Sequence, residues 1–190
     1  RSSDLDLDHI QKVYWGDGIN QPRLINIATP AAKRTWNDTS FDFVPTFEGG
    51  RIKVEKTPSG GGLFAPGVIQ YCFSYINKYG QQSNLVDVSP LLYLTHSDRG
   101  ASPDEKVNNS FTITLESMDN RFDSVRLYAI QRTSLNGEVY VRLLDTLPIT
   151  AFKMTYTDNG TGGSSMDPYE LLFIGGKEVS VLTMQDKDRS

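Results

Sequence analysis

Three aspartates at alternate positions near the start of the chain, Asp4, Asp6 and Asp8, resemble the first ligands of a calcium-binding loop. Such a loop needs glycine at its sixth position, for a sharp turn, and glutamate at its twelfth, to complete the ion's ligands. His9 and Trp15 occupy these two positions here. The spacing therefore favours an exposed strand face over a metal site.

The chain offers few side chains for nucleophilic or acid–base chemistry. The two histidines, His9 and His96, are not spaced as metal ligands, and no Gly-x-Ser-x-Gly elbow accompanies them, although counting alone leaves a Ser-His-Asp triad open. Cys72 is the single cysteine, and its neighbours Tyr71 and Phe73 supply neither a base nor a positive charge. We expect a buried thiol without a disulfide, a metal cluster or a catalytic role.

Glycines and tryptophans provide two further candidate sites. The run at residues 60–62 lacks the Lys-Ser/Thr that follows the glycines of a phosphate-binding loop, so it is predicted to be a connection. Trp15 and Trp36, together with loop tyrosines, are able to stack on sugars, but tryptophan is also common in cores and interfaces. The sequence therefore predicts no catalytic, cofactor-binding or metal-binding residues and no cofactor.

Residues 13–27, VYWGDGINQPRLINI, hold an acid and an arginine in a loop between two apolar runs. Asp17-Gly18 favours a tight turn, and Pro22 suits the start or edge of a strand. An Arg23–Asp17 pair across the turn would stabilise it by less than ~1 kcal/mol if exposed. Because further catalytic partners are missing, a strand-turn-strand corner is predicted rather than an active site.

Alternation with period two dominates the remaining sequence and predicts β-strands. Apolar and polar residues alternate at 111–116 and 139–143, and aromatic residues occupy every second position at 71–75. Turn-forming pairs such as Tyr79-Gly80 and Asn159-Gly160 separate the apolar runs. The side chains expected to form the core are Tyr71, Phe73, Tyr75, Phe111, Ile113, Leu115, Val125 and Leu127.

Two short helical turns and one loop complete the pattern. Residues 102–105 (SPDE) and 167–170 (DPYE) each place a capping side chain before a proline and an acid in the first turn. Residues 58–67, PSGGGLFAPG, predict a flexible link after the N-terminal segment.

Length and charge exclude several classes of protein. The chain has 190 residues, 38% of them hydrophobic, which suffices for one large β-domain or two small ones. A net charge of −4 argues against sequence-specific nucleic-acid binding, and no apolar run has the ~18 residues of a membrane span. Because the chain begins with Arg1, we expect it to be a piece of a longer polypeptide.

Three segments, taken in order, carry a resemblance to a known family. They are VYWGDGINQPRLINI (13–27), GVIQYCFSYINKYGQQSNLVDVSPLLYL with SFTITLESMDNRFDSVRLYAIQRTS (67–94 and 110–134), and MTYTDNGTGGSSMDPYELLFIGGKEV (154–179). Together they resemble large virion proteins of crAss-like phages, the stabilisation or tail-muzzle family. The second segment is similar to the fibronectin-III-like modules of phage tail proteins.

This resemblance implies a fibronectin-III- or immunoglobulin-like β-sandwich with flanking β segments. The expected organisation is an N-terminal β segment at 1–57, the sandwich at 58–160 and an exit segment at 161–190. The chain would be a structural part of the phage tail that helps to assemble the distal tail, retain packaged DNA and form its exit path. The expected partners are other tail proteins and copies of itself in a ring, with the host surface as a further candidate.

Two rival functions follow from the residues. A host-surface or glycan-binding module of an adhesin or receptor-binding protein would use Trp15, Trp36 and loop tyrosines as a stacking platform. A glycan-cleaving enzyme would need two carboxylates on facing walls of a cleft, and no such pair stands out. The prediction is therefore a non-enzymatic protein.

Overall fold

The computed structural model describes residues 12–16, 18, 21–26, 42–134 and 137–176. Within these ranges the chain forms antiparallel sheets and one short helix, so the predicted all-β sandwich class is confirmed. The elements are β1 (Lys12–Trp15), β2 (Arg23–Asn26), β3 (Arg51–Thr57), β4 (Gly67–Ile76), β5 (Gln82–Val88), β6 (Leu92–Leu94), β7 (Ser110–Glu116), β8 (Ser124–Arg132), β9 (Val139–Pro148), β10 (Lys153–Asp158), β11 (Ser164–Met166) and α1 (Pro168–Ile174).

Two sheets build the sandwich. One has three strands in the order β10-β7-β3, and the other has six, in the order β11-β9-β8-β4-β5 with β6 paired to the start of β4. The constant-type immunoglobulin sandwich has seven strands, so this sandwich is larger. The specific likeness to a fibronectin-III module stays a prediction. The hairpin of β1 and β2 is a separate two-stranded sheet, and it has the strand-turn-strand form predicted for residues 13–27.

The inner core lies between the two sheets and is rich in aromatic rings. Phe73 packs edge-on against Tyr75, Tyr75 stacks on Phe122 with centroids 4.7 Å apart, and Tyr71 lies 5.7 Å from Phe111. Every side chain that the sequence predicted for the core is buried there. Period-two alternation therefore identified the inward face of the central strands correctly.

The outer face of the six-stranded sheet is also covered. Cys72, Tyr128 and Ile130 point away from the inner core and pack in a second buried cluster with Leu171 of α1. Strands β4 and β8 are consequently buried on both faces over most of their length. This second cluster is what holds α1 against the sheet.

Helix α1 starts where the sequence predicts. The Asp167 side chain caps it by accepting a 2.9 Å hydrogen bond from the Tyr169 backbone, and Pro168 occupies the first turn. Gly175 ends it at a φ of 69°, a left-handed conformation that favours glycine. The other predicted helical turn, residues 102–105, is a single hydrogen-bonded turn and not a helix. Nowhere in the described ranges does a helix reach the length and apolarity needed to cross a membrane.

The connection from β3 to β4 is packed, contrary to the flexible link predicted from its composition. Phe64 is buried in the inner core, and its backbone pairs with that of Val107. A Cβ on Gly62 would lie 1.6 Å from the Asn109 carbonyl oxygen. The glycines are needed here for a close backbone approach, which composition alone does not distinguish from flexibility.

Both predicted flanking segments also contribute secondary-structure elements to the sandwich. β3 precedes residue 58 but pairs along its length with β7, and β11 and α1 follow residue 160 but contact β9. The limits predicted for the three segments stay a prediction, while these contacts tie parts of all three to one core.

Candidate interaction surface

A groove of about 370 Å³ lies between α1, the start of β5 and the β1–β2 hairpin. We call it the aromatic groove, and its walls include Tyr14, Phe43, Tyr79, Phe173, Glu170 and Ile174. Four of these six side chains are aromatic. They come from four separate parts of the chain, so the groove exists only in the folded protein.

Helix α1 forms one wall of the aromatic groove, and its side chains are apolar on nearly every side. Leu171 is buried, whereas Leu172 is 54% exposed, Tyr169 70% and Phe173 90%. A surface helix normally directs polar side chains to solvent, and a helix that is apolar all round is normally covered. Contiguous exposed apolar surface of this kind marks interaction sites.

The opposite wall is held in place by hydrogen bonds. The Phe43 backbone N–H donates to the Pro22 carbonyl at 2.9 Å, and the Phe43 ring lies 6.3 Å from that of Tyr14. The Asn77 side-chain oxygen accepts from the backbones of Tyr79 and Gln81, both at 3.0 Å. These contacts order the turn that carries the Tyr79 ring, over which Lys78 lies at 5.1 Å.

A second, more polar pocket of about 360 Å³ adjoins the groove, and the two share Gln82, Glu170 and Ile174. Gln82 Nε2 donates to the hydroxyls of Ser74 and Tyr128, both at 2.7 Å, while its Oε1 accepts from Arg126 at 3.1 Å. Burial raises the pKa of Tyr128, which keeps the phenol protonated. The polar side chains at this junction are therefore largely engaged with one another.

One carboxylate stands apart from these networks. Within the described residues, the Glu170 side chain forms no ion pair or hydrogen bond, although it lines both pockets. Asp167 is the other acid of the polar pocket, and its side chain caps α1. The junction of the two pockets thus presents the Glu170 carboxylate beside apolar rings, with the Arg126 guanidinium bound to Gln82 in the polar pocket.

Two of the side chains considered for catalysis, Cys72 and His96, lie in the described part of the chain. Cys72 is fully buried, and burial raises the pKa of its thiol, so the reactive thiolate is disfavoured. His96 Nε2 lies 3.3 Å from Glu105, which also binds Arg99 through both carboxylate oxygens. Within the described part of the chain, no group of three histidine, cysteine or acidic side chains is arranged to hold a metal ion.

Several residues that the sequence analysis considered for metal binding, catalysis, ion pairing or stacking lie outside the described part of the chain. They are Asp4, Asp6, Asp8, His9, Asp17 and Trp36. Arg23 lies inside it and is paired with Asp42, with 3.6 Å between Nε and Oδ1. Trp15 is described and partly exposed on β1, but it does not line the aromatic groove. The three aspartates of the rejected calcium loop, and one of the two tryptophans of the rival glycan-binding platform, therefore lie outside the described residues.

Sequence reasoning missed Phe43 and Phe173, although a signal for the latter exists. In the run Tyr169-Glu-Leu-Leu-Phe-Ile174, apolar residues fill more than one face of a helical turn. With Leu171 buried, Leu172 and Phe173 have to point elsewhere. No comparable pattern surrounds Phe43, which is positioned by long-range contacts.

Comparison with known proteins adds the family. A family model described as the crassvirus muzzle protein matches residues 5–190. The Muzzle protein of Bacteroides phage crAss001 is 46% identical over 185 residues, which are 96% of this chain. The chain belongs to the crassvirus muzzle protein family. Membership confirms the predicted family and places the chain in the phage virion, in a structural protein of the tail.

The chain spans 13% of the length of that relative. The match to the muzzle family therefore concerns one part of a much longer protein.

Proposed function

We propose that this chain is a rigid structural unit of the muzzle, which helps to assemble the distal tail, retain packaged DNA and form its exit path. The observation that carries the proposal is the 46% identity to a muzzle protein over nearly the whole chain. Its role is mechanical and not catalytic. Its partners are other tail proteins and further copies of itself in a ring.

The packing of the sandwich supports a mechanical role. The central strands are buried on both faces, and ionic contacts reinforce the three-stranded sheet, where Glu116 on β7 bonds Lys53 on β3 and Lys153 on β10. Such a double-layered unit resists deformation because its interior is close-packed. The net charge of −4 fits a path along which DNA slides and does not stick.

Immunogold electron microscopy of phage particles, with antibody raised against this chain, tests the location. Label at the distal end of the tail is expected. Label that is absent from particles but present on bacterial cells would overturn the proposal and favour a cellular adhesin.

Genome release on heating tests DNA retention. Particles carrying Phe73→Ala, which weakens the inner core, should become permeable to nuclease at a lower temperature than the parent. The matched control is Phe152→Ala, because Phe152 is 70% exposed and its loss leaves the core intact. An unchanged release temperature in particles with a demonstrably destabilised sandwich would argue against a retaining role.

Binding to a host-surface glycan is the second candidate function, and the aromatic groove is the observation that favours it. A glycan array probed with the purified chain tests this directly. A specific saccharide hit abolished by Phe173→Ser would favour a receptor-binding module over a purely structural one.

A further inference from the structure

We propose that the aromatic groove binds an extended segment of a neighbouring polypeptide, in which an apolar side chain and a lysine or arginine lie two residues apart. The apolar side chain enters among Tyr14, Phe43, Tyr79 and Phe173, and the cation pairs with Glu170. The inference concerns peptide binding by the chain itself, so it does not depend on the proposed role in DNA retention.

The charge at the groove identifies the polar half of this ligand. Glu170 is the one charged side chain among the described residues that line the aromatic groove. It has no ion-pair partner within the described part of the chain, and it stands beside rings that exclude water when covered. A carboxylate at the edge of an apolar surface favours a ligand with a positive charge at that edge.

The geometry of α1 sets the spacing within the ligand. Glu170 and Phe173 are three residues apart on the helix, which places their Cβ atoms about 5–6 Å from each other. In an extended chain, side chains at positions i and i+2 share one face and lie about 6.6 Å apart. An apolar residue and a cation separated by one residue therefore match the pair on the helix.

The state of the amide side chains favours a peptide of this kind over a saccharide. A sugar needs several hydrogen-bonding partners around its hydroxyls, and glutamines are common suppliers. Here Gln81 binds Asn77 and the Asp42 carbonyl, at 2.6 and 2.8 Å, and Gln82 is occupied by its three partners. The polar groups that remain available in the lining are the Glu170 carboxylate and the hydroxyls of Tyr14 and Tyr79, beside apolar ring surface.

The test is a nuclear magnetic resonance titration of the isotope-labelled chain with the blocked peptide Gly-Ser-Phe-Ser-Lys-Ser-Gly. Saturable shifts are expected at the backbone amides of Gly80, Gln82 and Ile174, with a Kd on the order of 1 mM for so short a ligand. Two companion peptides replace the lysine by norleucine or by glutamate. The norleucine peptide should bind more weakly, and the glutamate peptide more weakly still.

Variants separate the two halves of the site. Glu170→Gln should weaken the lysine peptide several-fold while leaving the norleucine peptide unaffected, and Phe173→Ser should weaken both. Phe152→Ser is the matched control, because it removes another exposed phenylalanine, one that lies outside the groove. It should leave all affinities unchanged.

Three outcomes would overturn the inference. The first is the absence of saturable shifts with the lysine peptide at about ten times the expected Kd. The second is equal affinity for the lysine and glutamate peptides. The third is a larger response to a mixture of tetrasaccharides than to any of the peptides, which would assign the groove to glycans.

Discussion

Inside the sandwich, the hydroxyl of Tyr71 donates a 3.1 Å hydrogen bond to Oδ2 of Asp158, which links the centre of β4 to the end of β10. Arg142 reaches the same oxygen at 2.9 Å, and the Gly160 backbone N–H donates to Oδ1 at 2.9 Å. The buried carboxylate therefore has donors from three parts of the chain. Burial, together with the Asp158 charge, raises the pKa of Tyr71, so the phenol remains a donor.

Removing one donor from this cluster should cost less than removing its acceptor. Tyr71→Phe is expected to lower the free energy of unfolding by about 1 kcal/mol, because Arg142 and Gly160 still satisfy Asp158. Asp158→Ala should cost about 3–5 kcal/mol, because it leaves the partly buried Arg142 charge unpaired. Urea unfolding measures both values, and a larger loss for Tyr71→Phe than for Asp158→Ala would contradict this account.

The inner aromatic core should dominate stability. Phe73→Ala removes a fully buried ring and is expected to cost about 3–5 kcal/mol. Thermal unfolding followed by circular dichroism measures the effect. Phe152→Ala, at an exposed phenylalanine, should change the free energy of unfolding by less than about 0.5 kcal/mol. A melting temperature for Phe73→Ala within a degree or two of the parent's would show that the core is assigned wrongly.

Alanine substitutions at two glycines should differ strongly in their effect on stability. Gly62→Ala places a methyl group against the backbone of Asn109 and should destabilise the fold by about 3 kcal/mol, as severe overpacking does. Gly100→Ala is the control, because a Cβ there meets no atom within 4 Å. Denaturant midpoints of the two variants provide the comparison. Equal midpoints would mean that the connection between β3 and β4 adjusts to the extra methyl group at little cost. That result would support the flexible link predicted from the sequence.

The loop that carries His96 should show a defined pH dependence. Hydrogen bonds from Arg99 and from the Ser102 backbone lower the pKa of Glu105 from 4.5 to about 2. A lowered pKa in the folded state contributes stability that is complete above the unfolded value of 4.5 and is lost as the pH falls through about 2. The denaturation midpoints of the parent and Glu105→Gln should therefore differ at pH 6 and converge towards pH 2. A difference that grows on acidification would exclude the lowered pKa of Glu105 as the cause of the pH dependence.

The sequence predicted the central sheet well where one face of a strand is polar. In β7, Phe111, Ile113 and Leu115 alternate with more accessible residues, and all three are buried. In strand β8 the alternation disappears after Leu127, because Tyr128 and Ile130 are buried on its second face. The helix start at Asp167 was predicted because a cap is a local interaction.

The aromatic groove could not be predicted from local sequence patterns. Tyr14, Phe43, Tyr79 and Phe173 lie far apart in the sequence, and no short pattern indicates that they meet. Local sequence also misled the prediction at Gly62, which was placed in a flexible link although close packing requires a glycine there. Composition does not distinguish these two uses of glycine. The tryptophan platform of the glycan-binding alternative stays a prediction, because Trp36 lies outside the described residues. The aromatic side chains that line the described groove are tyrosines and phenylalanines.

The position of β4 has a consequence for how the chain reaches its native state. β4 pairs from Val68 to Ile76 with β8, whose residues are synthesised much later, whereas β8 and β9 form a local hairpin. Contacts of such high sequence separation slow folding, because a long loop must close before they form. The nascent chain thus carries the apolar run of β4 without its main partner until β8 emerges from the ribosome. The yield of correctly folded chain should accordingly depend on the translation rate and on chaperones that shield this run.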